Sequence, residues 1–192
     1  YIYEVFDKKE KKFMVYARTI DPENLQMGKQ KKLLSTTREP IGDIAEIGTV
    51  VAFSFGPPRG NNFEVQTSFD RSKILVRYRL RPKDKRDKVN KDELGFYVFD
   101  KELNKLWGDE YKMPYTEKEM NNLAYAVLGD GSVKMLAYIN EPKKFELFSI
   151  TAEGLNKHDL AVDGNLLFQK FGLREDNEGN VKAIGLYATG IE

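Results

Sequence analysis

The chain of 192 residues contains no cysteine, which excludes disulfides, thiolate metal sites and a cysteine nucleophile. It has a single histidine, His158, and a single tryptophan, Trp107. A multi-histidine metal centre is therefore excluded as well. No apolar run approaches the ~20 residues that a membrane-spanning helix needs. Neither sign of charge predominates: 31 Lys and Arg stand against 30 Asp and Glu. A net charge of +1 gives no whole-molecule field to draw nucleic acid or an anionic membrane, and no nucleic-acid partner is expected. The first residue is Tyr1, and the opening "YIYEVF" already has strand character. The reading is of a removed leader or a longer protein, with any membrane anchor outside these residues.

What is present is enough for a packed core: 41% of the residues are hydrophobic and 12% aromatic. Val, Ile, Phe and Tyr recur with period 2 between turn residues, and helical spacing is hardly sustained beyond two turns. This predicts an all-β chain. The expected strands are Tyr3 to Phe6, Phe13 to Arg18, Thr49 to Phe55, Phe63 to Ser68, Ile74 to Leu80 and Gly95 to Phe99, followed by Leu123 to Leu128, Val133 to Ile139, Lys144 to Ile150, Asn165 to Phe171 and Val181 to Ala188. "FDRS", "GDGS" and "DNEGN" supply turn chemistry between them. One short helical turn is expected at Thr116, where Glu119 three residues later completes a capping-box pattern.

The strands repeat. "YEVFDKKEKKF" from Tyr3, "FYVFDKELNKL" from Phe96 and "FELFSITAEGL" from Phe145 align, placing Val5, Val98 and Leu147 together and then Phe6, Phe99 and Phe148. Phe13, Leu106 and Leu155 follow seven positions after that phenylalanine. A second hairpin type begins at Ser68, Val127 and Leu173; 48 residues separate Gly131 from Gly179, and 49 separate Phe99 from Phe148. The unit is four antiparallel strands over a little under fifty residues, the size of a β-propeller blade, which runs to roughly 40–50 residues. On this register residues 1–34 are the second half of one blade and 35–62 are unassigned. Residues 63–115 are a blade carrying a charged insertion at 81–93, 122–168 are another, and 169–192 are the first half of a third. Unpaired half-blades would leave open strand edges, so the region reads as part of a larger propeller.

The alternation of "DGSVKMLAY" with "FYVFDKELNKLW" resembles the divergent WD40-like propeller repeats of bacterial envelope and secreted proteins, including those of Bacteroidota. The resemblance covers most of Phe63 to Ala188. The Gly-His and Trp-Asp signatures of true WD40 blades are absent, as are the paired glycines of kelch repeats. It implies a scaffold for binding protein partners, placed in the periplasm, at the cell surface or outside the cell.

Chemistry-bearing residues are sparse. His158 lacks an accompanying nucleophile motif and reads as structural or exposed. The carboxylate pairs Asp92 and Glu93, Asp109 and Glu110, Glu117 and Glu119, and Glu175 and Asp176 read as solvated charge in turns, although two carboxylates across a cleft would serve a glycosidase. "DNEGN" lacks the alternating ligands of a calcium loop. No catalytic residue, cofactor or metal is predicted. The candidate partner-facing residues are Arg59 and Asn61 in the loop "GPPRGNN", Arg81, Lys83, Lys85 and Arg86 in the insertion, and Trp107, which has no aromatic counterpart in the other copies. The functional expectation is a non-enzymatic interaction module in an envelope-associated assembly. The alternatives are a propeller-based glycoside- or peptide-processing enzyme, or a carbohydrate-binding module.

Overall fold

The alternating segments pair as antiparallel strands, and no helix occurs among the described residues. The computed structural model describes residues 1–41, 62–82, 90–161 and 167–188. Three strands, β1 (Ile2–Asp7), β2 (Lys12–Ala17) and β3 (Lys31–Thr36), form the first sheet in that order. The second sheet contains β4 (Pro40–Ile41), β5 (Glu64–Thr67), β6 (Lys73–Leu80), β7 (Lys91–Asp100) and β8 (Lys105–Thr116). Here β5 to β8 run as a meander, and β4 pairs with the far end of β6 through Pro40↔Leu80 and Ile41↔Arg79. The third sheet is the four-stranded meander β9 (Met120–Val127), β10 (Val133–Ile139), β11 (Lys144–Thr151) and β12 (Gly154–Leu160). A hairpin of β13 (Leu167–Glu175) and β14 (Val181–Ala188) forms the fourth. The predicted strand Thr49 to Phe55 lies outside the described residues.

Apolar layers join the sheets face to face. Val15, Ala17 and Leu34 of the first sheet meet Val76, Tyr78 and Phe99 of the second. The opposite face of the second sheet, with Leu75, Phe96 and Val98, meets Tyr125, Val133, Met135 and Phe148 of the third. Ala124, Leu136 and Phe145 on the far face of the third sheet pack with Leu173 of the hairpin. Successive residues of β7 therefore serve different layers, which is why "FYVF" is apolar almost throughout. First strands also touch across the layers: β9 contacts β5 on one side and β13 on the other.

The aligned phenylalanines differ in their surroundings. Phe99 and Phe148 are buried, each facing the preceding sheet. Phe6 is 47% exposed and lies against Phe13, on the face of β1–β2 that turns toward the following sheet. The copies from Phe96 and Phe145 thus keep the same inside-out sense, and the copy from Tyr3 reverses it.

The hairpin turns do repeat. In Asp100–Asn104, Leu128–Ser132 and Asp176–Asn180 the first N–H donates to the last carbonyl, and the fourth N–H donates back to the first carbonyl. The fourth residue is left-handed in each: Leu103 at φ 65°, Gly131 at 87° and Gly179 at 81°. Arg71 at 58° occupies the like position between β5 and β6. The first three are the three-residue hairpin loop with a left-handed closing residue, and the turn holding Arg71 is one residue longer, closing through Ser68 N–H to Lys73 O.

The expected helical turn is absent. Thr116 N–H donates to Glu119 Oε2 at 2.8 Å, as half of a capping box would, and Glu119 N–H donates to Thr116 O. The chain then extends into β9, because Met120, Tyr125 and Val127 gain more from the second-sheet layer than an isolated helical turn supplies.

Candidate functional site

Alternating strand direction gives the stack two ends. At the hairpin end lie the turns just described, and they interlock. Gly129 N–H donates to Glu175 Oε2 at 2.8 Å, and Trp107 Nε1–H donates to Gly131 O at 2.9 Å. The Arg174 guanidinium sits 4.6 Å from the Phe69 ring centroid. Hydrogen bonds from the Ser68 hydroxyl and the Ser72 N–H hold the Asp70 carboxyl down at about 2. Asp176 is likewise held at about 2, by Lys182 and the N–H groups of its own turn.

The opposite, crossover end carries a network of charge that the sequence reading missed. Arg79 and Asp92 are buried and paired at 2.7 Å, with Glu117 3.3 Å from the same guanidinium. Arg38 pairs with Glu93 and donates to the Arg81 carbonyl; Arg81 pairs with Glu39 at 3.0 Å; Lys91 reaches Glu119 at 3.4 Å. Further out between the second and third sheets, Glu146 is fully buried. Its Oε1 accepts from the Tyr115 hydroxyl at 2.7 Å and the Lys157 ammonium at 2.9 Å, and Lys144 lies 2.8 Å away. Lys144 also holds Asp159 at 2.9 Å. Burial alone would push the Glu146 carboxyl up, but the hydrogen bonds from Lys144, Lys157 and Tyr115 overcome it and leave the group below its ordinary value.

These positions correct several expectations. Lys91, Asp92 and Glu93 belong to β7, so the insertion ends before them, and Asp92 is a buried ion-pair partner instead of a solvated turn charge. Asp109 and Glu110 lie in β8, where Glu110 accepts from Tyr78 at 2.9 Å and Thr36 at 3.0 Å. One signal was available for Glu146: in "FELFSI" it shares the parity of Phe148 and Ile150, both buried. His158 is exposed on β12, paired with Leu147, as Trp107 on β8 is paired with Val98.

Of the predicted partner-facing residues, Arg59, Asn61, Lys83, Lys85 and Arg86 lie outside the described residues. Arg81 is exposed at the crossover end, where its ion pair with Glu39 uses part of its charge. Trp107 is half-buried, packed on the layer between the second and third sheets, and its indole is committed to Gly131. The two are not brought together: roughly 20 Å of strand separates them along β6 and β7. Among the described residues, no group of three or more His, Asp or Glu is placed to hold a metal ion. No helix among them is long and apolar enough to cross a membrane.

No family model matches the chain, and no curated protein matches it. Among solved structures it is similar to a protein of unknown function from Bacteroides caccae, with a TM-score of 0.33 and 11% identity over 90% of this chain. The match spans 46% of that protein's length.

Proposed function

We propose that the protein is a β-propeller-type scaffold that binds protein partners as a non-enzymatic module of a larger bacterial envelope assembly. The observation that supports this reading is the stacking of two four-stranded meanders and a hairpin whose first strands meet, β5 with β9 and β9 with β13. Radial sheets converging on their first strands have this relation, and they present loops at two ends of the stack. The crossover end is the better binding face. Its exposed Glu117, Lys118, Glu141 and Lys143 surround a network held in place by buried ion pairs, so the surface is rigid before a partner arrives.

The test is a charge reversal. Lys118→Glu with Lys143→Glu in the full-length protein should lose co-purifying envelope partners at low salt and keep the wild-type circular dichroism. Retention of the same partners by the variant would reject the crossover end as the binding face. Hydrolysis of a glycan or peptide panel by the wild type, abolished when the loop carboxylates become alanine, would replace the scaffold reading with the enzymatic one.

A further inference from the structure

We propose that one buried water molecule bridges Asn122 and Glu146 across Ala137, inside the layer between the second and third sheets. The three residues form one row of the third sheet, since Ala137 is the register partner of Asn122 on β9 and of Glu146 on β11. Directly paired residues in antiparallel strands share a face, and Ala137 belongs to the layer that faces the second sheet. Asn122 is 7% exposed, and Ala137 and Glu146 are fully buried.

Two acceptors in this row have no protein donor among the described residues: Asn122 Oδ1 and Glu146 Oε2. The donors to Glu146 all go to Oε1, from Tyr115 on β8, Lys157 on β12 and Lys144 at the start of β11. Lys157 reaches Oε1 from the β12 side, and the proposed bridge has Oε2 turned toward β10, over the alanine methyl. The Cβ atoms of Asn122 and Glu146 are two cross-strand spacings apart, about 10 Å. An Asn and a Glu side chain extended toward each other span about half of that, leaving a gap that two hydrogen bonds of ~2.8 Å close through a single oxygen.

Charge selects water over a cation. Lys144 and Lys157 already balance Glu146 and Asp159, so a metal or ammonium ion would add an unmatched buried charge. Water donates twice without adding charge, and buried acceptors of this kind are what internal waters satisfy. The bridge ties the first strand β9 to the third strand β11 past a residue too small to fill the layer.

A crystal structure of the wild-type chain at a resolution that shows ordered water decides the matter, with crystals grown in sodium and then soaked in rubidium. The expected result is one oxygen peak within hydrogen-bonding distance of both atoms, without anomalous signal after the soak. An anomalous peak, a dry gap, or a protein donor on either oxygen overturns it. In solution, Ala137→Val should displace the water and lower Tm by several degrees, and the loss should shrink in an Asn122→Leu background, where one acceptor is gone. Equal losses in both backgrounds would also overturn it.

Discussion

At the scale of single residues, the hairpin turns show how backbone and side chain are matched. Gly131 and Gly179 sit at φ 87° and 81°, where a glycine carries no Cβ penalty; Arg71 holds the same turn position at 58° and does carry it. Arg71→Gly is expected to raise stability by about 0.5–1 kcal/mol and Gly131→Ala to lower it by about 1 kcal/mol, as read from urea midpoints. A Cβ on Gly131 meets Lys73 Cε at 3.8 Å and Trp107 Nε1 at 3.9 Å, ordinary contacts, so the penalty there is conformational. If both substitutions destabilise equally, the two turns are not equivalent.

Glu146 is the residue whose chemistry depends most on its surroundings. Its carboxyl lies below its ordinary value in the folded protein, so its contribution is complete above the unfolded value near 4.3 and is lost as pH falls through the lower folded one. Glu146→Gln should therefore be less stable than wild type at neutral pH. The difference should narrow as pH falls below the unfolded value and the wild-type group takes up its proton. Urea titrations at stepped pH would show converging curves; parallel curves would mean that Glu146 is uncoupled from acid unfolding.

At the scale of elements, the ends of strands hold their charges in different ways. The Arg79–Asp92 pair is buried between β6 and β7, so Asp92→Ala leaves a guanidinium without its nearest counterion and should cost about 3–5 kcal/mol. Arg81 and Glu39, 42% and 49% exposed, pair in solvent, and Arg81→Ala should change stability by less than about 1 kcal/mol. Thermal melts of the two variants should separate clearly, and similar melts would mean the Asp92 pair contributes no more than a surface contact.

Strand placement explains which elements were legible. Ile74 to Leu80, Val133 to Ile139 and Lys144 to Ile150 sit inside sheets covered on both faces, and their apolar content stands out from sequence. Four strands have no such run: Lys31–Thr36, Pro40–Ile41, Lys105–Thr116 and Gly154–Leu160, of which the third and fourth are marked only by the repeat positions Leu106 and Leu155. Each lies at the side of its sheet, where exposed positions accept polar residues, and β8 even tolerates Pro114 because an outer strand can spare an N–H. The Thr116 capping pattern misled for a related reason. Its local hydrogen bond forms, but contacts with another sheet set the course of the chain beyond Glu119.

At the scale of the whole molecule, burial is uneven across the stack. The second and third sheets are covered on both faces, whereas Tyr1, Val5 and Phe6 in and beside β1 are 63%, 39% and 47% exposed, and Ile184 on β14 is 62% exposed. Native-state hydrogen exchange should follow this gradient, with amides of β7 and β10 exchanging slowest, near the global unfolding limit, and those of β1 and β14 fastest. Uniform protection across all four sheets would mean that the outer ones are as tightly held as the centre. The same gradient bears on the scaffold proposal, because a stack with firmly packed middle sheets keeps its end loops at fixed spacing.

The sequence by itself determined the all-β class, most strand positions, the turn chemistry and the parity of Val98 with Leu147 and of Phe99 with Phe148. Those are properties of neighbours along the chain, governed by period 2 and by backbone preference. The tertiary structure decided which charges are buried, that Arg81 and Trp107 stand at opposite ends, and that Phe6 faces the other way from its sequence counterparts. It also decided that Trp107 is held by a turn 24 residues away and Asp92 by Arg79 on the neighbouring strand. A side chain's partner across a sheet or a layer depends on register and stacking, and neither is encoded in the spacing of one strand.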